Sequence, residues 1–157
     1  MRTAIGVLAR APLPGRCKTR LLAAYGPEWV AGLCAAMLRD TLDGLQAVTA
    51  DAYVVFAAPV PISPASGDDA AAHAGLAVDV LARHVPRPWE LVAQPTEDKA
   101  ARVEHALADL LARGGTEPTF AVLAESDAPS FPTEPLSAPL PSRCAEGAIV
   151  APARVGG

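Results

Sequence analysis

Cysteine is scarce in this chain, and the three present, Cys17, Cys34 and Cys144, stand far apart with no CxxC spacing. That excludes a disulfide framework and a zinc knuckle, and points to a reducing, cytoplasmic setting. Aromatic residues make up only 4% and charged residues 19%, against 51% hydrophobic, so the chain is globular and not disordered. Positive charge is not in surplus. Lys and Arg number 13 against 17 Asp and Glu, a net charge of −4, which argues against a nucleic-acid partner. No apolar run approaches the roughly 18 residues of a membrane span, and the N-terminal apolar stretch is too short for a signal peptide. The phosphate fingerprints GxxxxGK[ST] and GxGxxG are both missing. Any anion site must therefore be local and built mainly from side chains.

Such a concentration exists. "ARAPLPGRCKTRL", residues 9–21, holds Arg10, Arg16, Lys18 and Arg20, in a stretch stiffened by Pro12 and Pro14 and turned at Gly15. It follows "TAIGVLA" (3–9), a nearly continuous apolar run of the kind buried on both faces of a parallel sheet. Beyond it, Val30, Leu33, Cys34, Met37, Leu38, Thr41 and Leu45 recur at helical spacing, with Pro27 in the first turn. "AYVVFAA" (52–58), "WELVAQ" (89–94), "TFAVLA" (119–124) and "GAIVAP" (147–152) read as further strands. The stretch 70–85 reads as a helix interrupted by Gly75 and stopped near Pro86. A second helix runs from "TEDK" (96–99) to Gly114 and Gly115, with Glu97 and Asp98 at its positive end. Residues 59–69 are a loop by composition, and four prolines keep any helix in 132–142 short. Strands alternating with helices predict one domain over 1–157, a three-layer α/β/α sandwich with a Rossmann-like, mostly parallel sheet.

In such a sheet ligands bind where the chain leaves the carboxyl ends of the strands. The basic loop leaves strand 3–9 there, and "ESDAPSFP" leaves strand 119–124 at the same edge, carrying Glu125 and Asp127. If the two strands are neighbours, four cations and two carboxylates share a crevice. Phosphates call for Arg and Lys, and a carboxylate can hold Mg²⁺ or Mn²⁺ against the same oxygens. Other residues carry plainer expectations. His73, His84 and His105 show no ligand spacing, and Trp29 and Trp89 read as packing residues. His105 shares a helix face with Asp98, Arg102 and Asp109, read as a solvated face. Cys17, among three cations, would be a reactive thiol if exposed, although the favoured reading is simply a small residue in the loop.

Four stretches resemble one bacterial family related to the nucleotide-diphospho-sugar transferases, glycosyltransferases of the arsenosugar-biosynthesis type. "VLARAPLPGRCKTRL" is similar to its "FAKAPxPGxxKTRL", "QPTEDKAARVEHAL" to its "QxGxDLGxRMxxAL", "LAESDAPSFP" to its "IGSDxPxLP", and "GAIVAPARVGG" to its "DVVLGPAxDGGYxL". The resemblance implies a GT-A-type fold that binds a nucleotide-diphosphate sugar with Mg²⁺ or Mn²⁺ and passes the sugar to a small-molecule acceptor. By motif position it puts Lys18 and Arg20 on the diphosphate, with Gly15 and Arg16 shaping the loop. Arg10 takes the place of the pattern's lysine, Arg102 matches the helix arginine, and the resemblance makes Asp127, with Glu125 beside it, the metal or ribose ligand. Catalysis is thereby assigned to Asp127 and Lys18. Two departures stand out. Glu125 replaces the pattern's small glycine, so a second carboxylate either ligates the metal or repels the diphosphate. Val155 replaces the aspartate of "DGG", and the domain 1–157 is expected to lack the family's C-terminal acceptor-side elements.

Two other readings stay open at this stage. A basic loop suits a triphosphate equally well, so a nucleotidylyltransferase releasing pyrophosphate from an NTP is one alternative. The other, motivated by Val155, is a catalytically impaired nucleotide-binding or partner protein, which predicts a homodimer.

Overall fold

The computed structural model describes residues 1–60, 70–95, 98–127 and 129. The expectations for 61–69, Thr96, Glu97, the 132–142 segment, Cys144, the 147–152 strand and Val155 lie outside those residues, as does the side chain of His73. Among the described residues four strands, β1 (Arg2–Ala9), β2 (Ala52–Ala57), β3 (Glu90–Ala93) and β4 (Thr119–Glu125), alternate with three helices. The helices are α1 (Pro27–Gln46), α2 (Ala70–Leu81) and α3 (Lys99–Ala112), and a short 3-10 turn spans Thr19–Ala23. The strands pair in the order β3-β2-β1-β4, and every pairing is parallel.

The apolar runs explain both the sheet and its two covering layers. Side chains alternate along a strand, so Ile5, Val7 and Val55 meet Leu38, Leu42 and Leu45 of α1 and Leu81 of α2. Ala4, Leu8, Val54 and Phe56 meet Ala106 and Leu110 of α3 on the opposite face. Gly6 lies on that second face because α3 comes very close. A Cβ there would lie 2.8 Å from both Leu110 Cδ1 and Phe56 Cε2. α1 starts where the sequence predicts, with Gly26 as its N-cap and Pro27 in its first turn. Helix α3 opens on Asp98, whose carboxylate accepts from the Ala101 N–H at 2.8 Å, a cap typically worth about 1 kcal/mol.

The order β3-β2-β1-β4 settles the question left by the sequence. Strands β1 and β4 are neighbours, with Leu8 opposite Glu125. The chain leaves β1 for α1 on one face, while α3, on the other face, leads into β4. Their shared carboxyl edge is therefore a topological switch point, the place where open α/β sheets hold ligands.

Candidate functional site

The loop after β1 is rigid for identifiable reasons. The Arg16 N–H donates to the Leu13 carbonyl at 3.0 Å, closing a turn with Pro14 second and Gly15, at φ +75°, third. That third position demands a positive φ, which glycine supplies at no steric cost. Cys17 is 3% exposed, and its thiol donates to the Leu13 carbonyl at 3.3 Å while packing on Val30 and Ala31 of α1. Cys17 is thus the loop's anchor, and an exposed reactive thiol is excluded. Lys18 follows in a left-handed conformation, φ 44° and ψ 47°. For a residue with a Cβ that conformation costs about 1–2 kcal/mol, and the surrounding loop must impose it.

The consequence is a side chain turned across the sheet edge. Lys18 Nζ forms an ion pair and hydrogen bond with Asp127 Oδ2, 109 residues away in the chain. The loop carrying Asp127 is itself held, since the Ser126 N–H donates to the Leu8 carbonyl at 3.0 Å. Thr41 of α1, fully buried, donates to the Met37 carbonyl at 2.8 Å, and its Oγ1 also lies 3.3 Å from the Ser126 carbonyl. A second pair stands beside the first, with Lys99 Nζ 2.6 Å from Glu125 Oε1.

Together these groups line a cleft of about 870 Å³. Among the described residues Arg10, Arg16, Lys18, Arg20, Lys99 and Arg102 face it with Glu125 and Asp127, so six cations meet two carboxylates there in a chain of net charge −4. A concave site with such an excess focuses a positive potential and draws anions in. Its apolar wall comes from Leu33, Cys34 and Met37 of α1, which are half-buried along the cleft and not in the core. Burial, together with a hydrogen bond to Cys17, pushes the Cys34 thiol up to about 12, so it stays protonated at neutral pH. Gly15 shapes the loop from outside the cleft.

Two expectations need correction. The α3 face bearing Arg102 is not solvated: Arg102 is 6% exposed, because the helix is drawn against the sheet at Gly6 and Phe56. His105, on the same face, meets the edge of the Phe56 ring at a centroid distance of 6.5 Å. Trp29 is 54% exposed and stacks on Tyr25 at 4.5 Å, so it is not a core residue, whereas Trp89 is buried as expected. Lys99 was not singled out by the sequence. The signal was there, since the first residue of a helix following a parallel strand lies at the carboxyl edge.

The fold has a counterpart among solved structures. No family model matches the chain, and no curated protein matches it. The crystal structure of a protein from Desulfovibrio desulfuricans G20, assigned as a nucleotide-diphospho-sugar transferase, superimposes with a TM-score of 0.62 and 27% sequence identity. The match covers 84% of this chain and 50% of that one, so the chain spans about half the length of that neighbour. Among the described residues no helix is long and apolar enough to cross a membrane. The parallel β3-β2-β1-β4 sheet with its flanking helices is thus an α/β fold similar to that of the Desulfovibrio protein.

Proposed function

We propose that the cleft binds the diphosphate of a nucleotide sugar and that the protein is a glycosyltransferase acting on a small-molecule acceptor. The observation carrying this reading is the Lys18–Asp127 contact across the β1/β4 switch point, inside a cleft where cations outnumber carboxylates. Lys18 and Arg20 neutralise the diphosphate, Arg16 and Arg10 extend that field along the loop, and Arg102 supports it from α3. Fixed positive groups aimed at a departing phosphate lower the barrier because negative charge grows there as the sugar–phosphate bond breaks. Leu33 and Met37 keep water from that wall. The finer resemblance, to glycosyltransferases of the arsenosugar-biosynthesis type, rests on the four motifs alone.

The donor set is compatible with a divalent ion. Asp127 offers a hard carboxylate oxygen, and Mg²⁺ or Mn²⁺ commonly takes only one or two carboxylates besides phosphate oxygens and water. No cluster of three or more His, Cys, Asp or Glu able to hold a metal occurs among the described residues. In this reading phosphate oxygens of the nucleotide and water complete the coordination. When bound, the ion supplies Lewis-acid neutralisation of the phosphate oxygens.

A thermal-shift screen tests the reading, using UDP-, GDP-, ADP- and dTDP-sugars and the four NTPs with and without Mn²⁺. Ligand at about 100 times its dissociation constant adds about 2.7 kcal/mol, a rise of a few degrees. A shift with one nucleotide sugar is the expected result. Pyrophosphate release from an NTP would instead favour nucleotidyl transfer, and no shift with any ligand would sink the nucleotide reading.

A further inference from the structure

We propose that Lys99 is a positioning residue of the anion cleft: by pairing with Glu125 it cancels a carboxylate that would otherwise repel the phosphates of an entering ligand. The inference rests on the anion-binding reading above and decides between the two roles left open for Glu125. Glu125 ends β4 opposite Leu8, two residues before Asp127, and both carboxylates line the cleft. Each has its own lysine, and the two lysines come from different elements. Lys18 reaches Asp127 from the loop after β1, and Lys99 reaches Glu125 from the first turn of α3. Asp98, the residue before Lys99, is the helix cap, so the start of α3 is fixed and the Lys99 backbone with it.

The charges explain why the pairing matters. With Lys99 in place, Glu125 adds no net charge beside the diphosphate. Without it, a bare carboxylate faces the phosphates at a partly solvated site, where a nearby like charge costs roughly three- to tenfold in affinity. The pair is 68% and 48% exposed, so it contributes little to folding. Its effect should appear in ligand binding and not in stability.

A double-mutant cycle provides the test. Inorganic pyrophosphate and UDP, GDP, ADP and dTDP are titrated calorimetrically, with Mn²⁺, into wild type, Lys99→Met, Glu125→Gln and the double variant. Circular dichroism verifies that each is folded. We expect Lys99→Met to bind three- to tenfold more weakly, Glu125→Gln to bind as well as wild type or better, and the double variant to return within about twofold of wild type. A double variant as weak as Lys99→Met would overturn the proposal, because Lys99 would then touch the ligand directly. Weakened binding by Glu125→Gln would overturn it too, because Glu125 would be a ligand in its own right. A wild type that binds pyrophosphate but no nucleotide defeats the nucleotide reading and leaves the cycle decisive. A wild type that binds neither defeats both.

Discussion

The two ends of α3 use charge in opposite ways. At its C-terminal end Arg113 Nε donates to Asp109 at 2.6 Å, and Nη1 donates to Glu90 at the start of β3. Partial burial pulls the Arg113 guanidinium down, but its hydrogen bonds to Asp109 and Glu90 outweigh that and hold its pKa above the ordinary value. There one cation faces two anions, and the group ties α3 to β3. At the N-terminal end, Lys99 and Arg102 open onto a cleft in which cations exceed anions three to one. An arginine held between two carboxylates supports the fold, whereas an excess of cations lining a cavity is a standing field for a ligand. The comparison teaches that the balance of charge, more than its amount, separates a structural cluster from a binding one.

The sharpest way to break this contrast is at Lys18. Lys18→Met should weaken nucleotide binding at least a hundredfold, about 2.8 kcal/mol, while the unliganded melting temperature stays nearly constant. Unchanged affinity in a calorimetric titration would show that the loop's charge is not a binding charge.

Next in size are changes to the packing that sets α3 on the sheet. Leu110→Ala should cost about 2–5 kcal/mol in denaturant unfolding, since Leu110 is fully buried beside Gly6 and Phe56. Gly6→Ala should cost about 1–3 kcal/mol by overpacking the same contact. Each should reduce the folded fraction while the surviving folded protein keeps its ligand affinity. At the other end of the helix, Arg113→Met should lower stability by up to about 1 kcal/mol with no effect on nucleotide affinity. An affinity change in that variant would mean that the two ends are coupled through the helix.

The smallest effect concerns Cys34. Its folded thiol titrates near 12 against an ordinary 9.0, so between those values the folded state holds a proton that the unfolded state has released. Stability should therefore fall as pH rises above 9. Melting curves from pH 8 to 11 should show a shallower alkaline decline for Cys34→Ala than for wild type, and parallel curves would refute the assignment.

Much of this was legible in the sequence because it depends on local pattern. Continuous apolar runs marked β1, β2 and β4, and a 3.6-residue period marked α1 and α3. "PLPG" marked the turn, and the clustering of Arg16, Lys18 and Arg20 marked the anion loop. Misreadings came where a neighbouring element overrides the local signal. The face carrying Arg102 has the polar pattern of a solvated helix, yet it is buried because Gly6, nearly a hundred residues earlier, lets α3 settle onto β1. Leu33 and Met37 have the period of a core stripe but line the cleft.

The sequence by itself therefore determined the alternation of strands and helices, and with it the α/β class and the two loops that carry the charge. Periodicity and turn chemistry act within a few residues and are readable one segment at a time. Only the tertiary structure decided that β1 and β4 are adjacent, that Lys18 meets Asp127, that Lys99 meets Glu125, and that Cys17 is an anchor. Those outcomes depend on strand order and helix approach. They are set by which apolar faces bury each other best across the whole chain, and no local stretch of residues encodes them.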